Sequence, residues 1–342
     1  MWSRSATVGR LGSPTTKHIW SRMSQRHFVA TNGINLRVWE AGDGPLVVLL
    51  HGFPESAHSW RHQIRPLVEA GYRVVAPEQR GYGGSSHPPT VEAYSIMHLV
   101  GDITGLIREL EAQDAVLVGH DWGATVAWSL ALMRPDLVRG VVGLSVPPYL
   151  RGESGQLTTM RAMHHGRFYV NYIEEPGVAD EEFGGDPMTS LRRTFYGVSG
   201  DNPANQAPRD MLVPPGGGLL DAVDPEHSTA LPGWLTEQDL QVYAAQFEGG
   251  FTGAFNWYRN LDRNWELTAA FDGLRLPMPA QFISGELDPV LAFRGLRDYV
   301  QTLPRRHDRF AEPIFVPGCG HWIQQERPQE VNRLLLQFLA TL

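Results

Sequence analysis

The chain contains short, mostly apolar runs that recur between longer helical stretches. The clearest run is Leu46-Val-Val-Leu-Leu50, and similar runs lie at 73–77, 115–119, 140–145, 279–284 and 313–317. An apolar run without a polar position predicts a strand that is covered on both faces. The intervening stretches are predicted to be helices, at 59–70, 91–112, 123–134, 290–303 and 328–342. This alternation predicts an α/β fold with a mostly parallel, doubly wound sheet.

The alternation begins after a hairpin and stops in the middle of the chain. Asn32-Gly33, between the apolar-patterned stretches 28–31 and 34–39, is typical of a two-residue hairpin turn. Residues 199–233 are loop-rich, since 11 of these 35 residues are Pro or Gly, and long irregular stretches are typical of lids. We therefore expect a mainly helical cap over residues 148–262, inserted between the core segments 26–147 and 263–342.

Composition excludes several classes of protein. A net charge of −8 argues against an electrostatic grip on nucleic acid. No apolar run approaches the roughly 18 residues of a membrane span, so no membrane insertion is expected. The single cysteine, Cys319, excludes an intrachain disulfide and a cysteine-based zinc site. We expect a cytoplasmic protein whose residues 1–25 form a disordered leader, with Met23 as an alternative start.

A polar residue between two glycines follows the run at 115–119. Val118-Gly-His-Asp-Trp-Gly-Ala124 has the strand–turn–helix pattern of a nucleophile elbow, with Asp121 where a serine esterase carries serine. The alternative interpretation is an aspartate that only caps the following helix. Because no Gly-x-Ser-x-Gly pattern occurs in the chain, serine esterase chemistry is disfavoured.

The loop His51-Gly-Phe-Pro54 follows an earlier strand and is a candidate for binding an oxyanion. In elbow hydrolases this loop supplies one backbone N–H, and the residue after the nucleophile supplies another. The two donors here would be the N–H groups of Phe53 and Trp122. A strand-ending turn that needs glycine and proline for its shape is the alternative.

Two further polar residues follow the last two predicted strands. Asp288 comes after the run at 279–284, and His321 comes after the run at 313–317. Carboxyl ends of parallel strands meet at one edge of a sheet, where catalytic groups gather. Asp121, Asp288 and His321 also have the chain order of nucleophile, acid and histidine in elbow hydrolases. They form a candidate catalytic triad.

An aspartate nucleophile restricts the reaction. A carboxylate is ionised at pH 7 and suits displacement at a saturated carbon, which gives an ester on Asp121. His321, oriented by Asp288, would then activate water against that ester. The substrate needs a leaving group on carbon, either a halide or a strained epoxide oxygen. Because no His-Glu-x-x-His pattern occurs, we expect no metal, and nothing in the sequence calls for a cofactor.

Taken together, these and further motifs resemble the epoxide hydrolases of the α/β-hydrolase fold, particularly the soluble epoxide hydrolases. The likeness runs from about His27 to Leu342. The matching segments are His51-Gly-Phe-Pro-Glu55, Ser59-Trp60-Arg61, Gly81-Tyr-Gly83, Gly119-His-Asp-Trp-Gly123, Glu175-Pro-Gly177, Asn256-Trp-Tyr-Arg-Asn260 and Gly320-His-Trp322.

The resemblance implies two further site residues. Two lid tyrosines of the family donate hydrogen bonds to the epoxide oxygen, and they correspond to Tyr169 and Tyr258 here. A phenol, with an ordinary pKa of about 10, stays protonated at pH 7 and can serve an alkoxide leaving group. Tyr172, one helical turn from Tyr169, leaves the register of the first tyrosine open. The expected partners are a small hydrophobic epoxide and water, and a homodimer is compatible with the sequence.

Two alternatives remain at this stage. A haloalkane dehalogenase shares the aspartate elbow and the following tryptophan. Its halide site often takes a second side-chain N–H just after the His-Gly of the oxyanion loop. That position is Phe53, which has only its backbone N–H. A non-catalytic receptor on the same scaffold is the second alternative, because a fold alone does not establish a function.

Overall fold

Eight strands form one sheet in the computed structural model, which describes residues 25–342. The alternative start Met23 and the expected leader, except for residue 25, lie outside the described residues. The strands are β1 (Gln25–Thr31), β2 (Ile34–Ala41), β3 (Leu46–Leu50), β4 (Arg73–Pro77), β5 (Ala115–His120), β6 (Val138–Leu144), β7 (Ala280–Gly285) and β8 (Ile314–Val316).

The sheet is mostly parallel, as predicted. Its strand order is β1-β2-β4-β3-β5-β6-β7-β8, and only the β1–β2 and β2–β4 pairs are antiparallel within the described sheet. The chain leaves β3 toward β4 on one side and returns to β5 on the other side. The order therefore reverses between β3 and β5, and ligands of open α/β sheets bind at the carboxyl ends of such neighbours.

Helices cover both faces of this sheet. Within residues 25–342 they are α1 (Ile64–Glu69), α2 (Ile96–Glu109), α3 (Trp122–Met133), α4 (Gln156–His164), α5 (Tyr169–Glu174), α6 (Val178–Gly185), α7 (Pro187–Gly197), α8 (Leu219–Val223), α9 (Glu237–Ala245), α10 (Thr252–Arg259), α11 (Leu261–Leu267), α12 (Leu296–Arg306), α13 (Ile323–Glu326) and α14 (Pro328–Leu339).

Side chains of the central strands alternate between two apolar cores. Val48 and Leu50 of β3 pack in a core shared with α2 and α3, whereas Val47 and Leu49 pack in a second core shared with α1 and α14. All four side chains are fully buried. The uninterrupted apolar runs of the sequence are thus explained, because each strand has no face left for water.

The predicted helix over 290–303 is wrong for its first six residues. A short 3₁₀ turn occupies Pro289–Ala292, and α12 begins only at Leu296. Between them Phe293 has extended backbone, with φ −60° and ψ 135°. Gly295 has φ 77°, in the left-handed region that glycine enters readily. The apolar spacing continues across this break, so periodicity alone does not reveal it.

The predicted helices over 59–70 and 91–112 are also shorter than expected. Each opens with a 3₁₀ turn, at Ala57–Trp60 and Val91–Tyr94, and becomes α-helical only in α1 and α2. The backbone of Ser95 is extended, with ψ 157°, and separates the second turn from α2. Sequence patterns locate such ends only within a few residues.

Residues 148–262, here called the cap segment, contain α4 to α10 and the start of α11. A capping box starts α9, because the side chains of Thr236 and Asp239 each accept the backbone N–H of the other. Asp239 Oδ1 also lies 2.7 Å from Nε2 of His58 in the core. Trp257 Nε1 donates to the carbonyl oxygen of Arg80 at 3.0 Å. The segment is therefore tied to the core at several points.

We expect Gly123→Ala to destabilise the fold by about 1–3 kcal/mol, because a Cβ at residue 123 would overlap the carbonyl oxygen of Leu50. Gly184→Ala is the matched control. A Cβ at Gly184 meets no atom within 4 Å, and in a helix alanine is favoured over glycine by about 0.5–1 kcal/mol. Denaturant unfolding of both variants measures the difference. Wild-type stability in Gly123→Ala would contradict the packing described here.

Candidate active site

Asp121 lies at the turn between β5 and α3, where the elbow motif predicts it. Its φ is 52° and its ψ is −121°, a conformation that residues other than glycine rarely adopt. Gly119 and Gly123 contact each other through backbone atoms, and a Cβ on either glycine would clash. This close approach of strand and helix turns the side chain of Asp121 outward, so that it is 16% exposed.

The loop after β3 provides a backbone donor to Asp121. The N–H of Phe53 donates to Asp121 Oδ1 at 2.9 Å. Because β3 and β5 are neighbours in the sheet, their carboxyl ends bring the two segments together. Trp122 opens α3, and the first N–H groups of a helix have no partner within that helix. Of the two predicted oxyanion donors, the N–H of Phe53 therefore contacts the Asp121 carboxylate, and the N–H of Trp122 belongs to the residue that follows Asp121.

Asp288 and His321 complete a line of polar groups that ends at Asp121. His321 Nδ1 lies 3.0 and 3.1 Å from the two carboxylate oxygens of Asp288, which is fully buried. His321 Nε2 lies 3.7 Å from Asp121 Oδ2. Asp288 also accepts the N–H of Val290 at 2.9 Å, which fixes its carboxylate. The structure thus brings together all three residues of the predicted triad.

Groups that the sequence did not single out hold the backbone of His321. Its carbonyl oxygen accepts from Ser145 Oγ at 2.8 Å and lies 2.8 Å from His120 Nε2. Its N–H donates to the carbonyl oxygen of Val198 in the cap segment at 3.0 Å. His120 was part of the elbow motif, but its pairing with a residue 201 positions away has no signal in one sequence.

Glu55, the last residue of the His51–Glu55 motif, is fully buried behind the triad. Its Oε2 lies 2.7 Å from His120 Nδ1, and its Oε1 accepts from the side chains of Gln324 and Gln325 at 2.8 and 2.7 Å. Both ring nitrogens of His120 therefore have oxygen partners, Glu55 on one side and the carbonyl oxygen of His321 on the other. A buried carboxylate needs such partners. The only sequence signal for a role of Glu55 is its place in the His51–Glu55 motif.

Tyr169 and Tyr258 lie in the cap segment, Tyr169 at the start of α5 and Tyr258 near the end of α10. Their ring centroids are 6.3 Å apart, and the Tyr258 ring lies edge-on to Trp122 at 5.1 Å. Burial raises the pKa of both phenols, and the negative charge of Asp121 raises each further. The pKa of Tyr172 rises to about 12 because of its burial and then the charge of Glu182. Tyr169, not Tyr172, is thus the tyrosine near Asp121.

The charges of the triad reinforce one another. Burial acts to raise the pKa of Asp121, but His321, His120 and the N–H of Phe53 outweigh it and hold that pKa below its usual value. Burial acts to lower the pKa of His321, but the carboxylates of Asp288 and Asp121 outweigh it and hold that pKa well above its usual value. The free site therefore favours a carboxylate beside an imidazolium.

Aromatic side chains surround the triad on the side of the cap segment. The ring of Phe53 packs against Phe255 at 5.1 Å, Tyr258 at 5.6 Å and Phe183 at 5.9 Å. Sequence reasoning did not single out Phe183 or Phe255. Among residues 25–342, no three His, Cys, Asp or Glu side chains are grouped to hold a metal ion. No helix in that same range is long and apolar enough to cross a membrane.

Comparison with known proteins agrees with this architecture. The family model described as alpha/beta hydrolase fold matches residues 45–177. Epoxide hydrolase A of Mycobacterium tuberculosis is 45% identical, over 97% of this chain and 99% of that protein. The chain belongs to the epoxide hydrolases of the α/β-hydrolase fold. Epoxide hydrolase 1 of the plant Siraitia grosvenorii is 41% identical, over 91% of this chain and 96% of that protein.

Solved structures give the same answer for the whole epoxide hydrolase chain. The crystal structure of epoxide hydrolase A from Mycobacterium thermoresistibile has a TM-score of 0.85 and 46% identity, and covers 93% of this chain and 98% of its own. An epoxide hydrolase from an endophytic Streptomyces has a TM-score of 0.87 and 40% identity, with 93% and 96% covered. The fold and family predicted from the sequence are confirmed.

We expect Asp121→Asn to lower the pKa of His321 in this epoxide hydrolase. The carboxylate of Asp121 favours the imidazolium, and a neutral amide of the same shape removes that charge. NMR titration of the His321 ring, assigned with His321→Gln, measures the change. Asp239→Asn is the control, because Asp239 pairs with His58 instead. An equal shift in both variants, or none in either, would contradict this electrostatic coupling.

Proposed function

We propose that this enzyme opens hydrophobic epoxides to vicinal diols through an ester on Asp121. One observation carries the proposal. The Asp121 carboxylate has one oxygen on the N–H of Phe53 and the other 3.7 Å from the ring of His321, which Asp288 orients. A carboxylate so divided has one oxygen for attack and one held by a backbone donor.

In the first step, Asp121 Oδ2 attacks a ring carbon of the epoxide and the C–O bond of the ring breaks. The electron pair goes to the epoxide oxygen, and the hydroxyl of Tyr169 or Tyr258 donates a proton to it. The raised pKa of both phenols keeps them protonated at neutral pH. The product is a hydroxyalkyl ester whose carbonyl oxygen, Oδ1, stays on the N–H of Phe53.

In the second step, His321 Nε2 takes a proton from water, and the oxygen of that water attacks the carboxyl carbon of Asp121. The negative charge that develops on Oδ1 is stabilised by the N–H groups of Phe53 and Trp122. Collapse of this intermediate breaks the bond between the carboxyl carbon and the diol oxygen, which takes the proton from His321. The remaining proton of the water then passes from the carboxyl group of Asp121 to His321. Ester formation removes the charge of Asp121, which otherwise raises the pKa of His321. The pKa of His321 therefore falls when the ester forms, and the proton that its ring gives up restores the tyrosine that protonated the epoxide oxygen.

The substrate class follows from the surroundings of Asp121. The ring of Tyr258 packs edge to face against two other aromatic rings. Its centroid lies 5.6 Å from that of Phe53 and 5.1 Å from that of Trp122. A site lined by aromatic rings favours an apolar substituent on the epoxide.

We further propose that residues 148–262 form the cap domain over the core segments 26–147 and 263–342. The cytoplasmic location and a homodimer stay predictions.

Multiple turnovers of styrene oxide in ¹⁸O-labelled water are expected to place label in the peptide that carries Asp121. Water attacks the carboxyl carbon, so an oxygen of Asp121 leaves in the diol and one from water replaces it. Mass analysis of peptides after proteolysis measures this exchange. His321→Gln is expected to stop after the first step and to retain the ester. Diol formed without label in that peptide would exclude Asp121 as nucleophile.

Replacing both Tyr169 and Tyr258 with phenylalanine is expected to slow ester formation by about 10²–10⁴-fold, the usual contribution of a general acid. Each single variant retains one donor and should lose less. Rapid-quench measurement of ester formation from styrene oxide follows the effect. Tyr172→Phe is the matched control, because Tyr172 lies near Glu182 instead of the triad. Ester formation at the wild-type rate in the double variant would sink the assignment.

A further inference from the structure

The loop that carries His321 is attached to the cap segment at His321 and at the next residue, Trp322. We call Gly318–Trp322 the base loop. The N–H of His321 donates to the carbonyl oxygen of Val198 at 3.0 Å, and Trp322 Nε1 donates to the carbonyl oxygen of Phe195 at 2.9 Å. The base loop and the cap segment are therefore joined directly by hydrogen bonds.

One buried carboxylate joins the same two segments. Glu326, which is 6% exposed, accepts three backbone N–H groups. Its Oε2 accepts from Gly320 at 2.8 Å and from Gly200 of the cap segment at 3.0 Å, and its Oε1 accepts from Trp322 at 3.1 Å. Gly320 and Trp322 are the two neighbours of His321 in the chain. The carboxylate therefore holds the backbone immediately before and after the base.

The base loop and the cap segment are closely packed around Glu326, without room for an added methyl group at Gly200 or Gly320. A Cβ at Gly200 would lie 2.7 Å from the nitrogen of Gly320 and 2.9 Å from Glu326 Oε2. A Cβ at Gly320 would overlap the backbone at Gly200 and Ser199. Burial raises the pKa of Glu326, while the three N–H donors act against that rise. Bonds from N–H groups to a carboxylate are stronger than bonds to a neutral acceptor.

We propose that Glu326 is a positioning residue for the second half of the reaction. It fixes His321 against the Asp121 ester and couples the base loop to the cap segment. This inference rests on the proposed function. In that mechanism only ester hydrolysis uses His321 as a base, whereas ring opening uses Asp121 and the two tyrosines. A displaced base loop therefore slows the second step and leaves the first step nearly unchanged.

Glu326→Gln tests the proposal at its centre. The amide keeps the shape of the side chain, but its NH₂ group faces an N–H donor that the carboxylate bound. We expect ester hydrolysis to slow by about 10–100-fold, the effect of a misplacement of roughly 1 Å, while ester formation from styrene oxide keeps its wild-type rate. Intact-protein mass spectrometry in the steady state should then find most of the enzyme as ester. Glu330→Gln is the matched control, since Glu330 pairs with exposed Arg333.

Gly200→Ala tests the same coupling from the cap segment, without touching the triad. The added methyl group pushes Gly200 away from Gly320 and Glu326, so this variant should also accumulate ester. Gly184→Ala, whose methyl group meets no atom within 4 Å, is its control. In the double variant of Gly200 and Glu326 the two effects should not multiply, because both break one contact.

The outcomes separate this inference from the proposed function. Ester accumulation in both variants, with normal ester formation and neither control affected, supports the positioning role. The positioning role is overturned if ester formation and ester hydrolysis slow equally while the melting temperature falls. It is also overturned if the ester is hydrolysed at the wild-type rate. If wild-type enzyme forms neither diol nor ester, the proposed function itself fails. Should Glu326→Gln not fold, Gly200→Ala alone decides between these results.

Discussion

The candidate site depends on a close contact between backbone segments, at two positions where glycine leaves no side chain in the way. Gly119 of β5, Gly123 of α3 and the carbonyl oxygen of Leu50 in β3 meet so closely that none of the glycines can carry a Cβ. This contact sets the left-handed backbone of Asp121 and brings the N–H of Phe53 to its carboxylate. The position of this carboxylate in turn determines which groups of the site can contact it, including His321.

Behind the triad, buried polar groups are satisfied by one another. His120 and Ser145 bind the carbonyl oxygen of His321, and Glu55 binds the far side of His120. Each of these side chains is buried, where an unpaired polar group is costly and a paired one is held strongly. His321 is thus fixed through its backbone as well as through its ring, which leaves little freedom for an alternative rotamer.

Much of this arrangement could be predicted from the sequence because its signals are local. Uninterrupted apolar runs indicated the strands, and the residues just after them, Asp121, Asp288 and His321, converge because parallel strands end at one edge. The breaks at Ser95 and Phe293 could not be predicted, since a single extended residue leaves the apolar spacing intact. Neither could the pairing of Glu55 with His120 or of Glu326 with Gly200, because partners so far apart in the chain leave no pattern in a single sequence.

The shape of the elbow has a consequence for how such a fold acquires new chemistry. The contacts that force the turn are made by Gly119, Gly123 and Leu50, and the side chain of residue 121 takes no part in them. A hydroxyl or a carboxylate at that position therefore meets the same backbone and the same donors. The reactive atom can be exchanged while the frame stays as it is, so one scaffold serves both acyl transfer and displacement at saturated carbon.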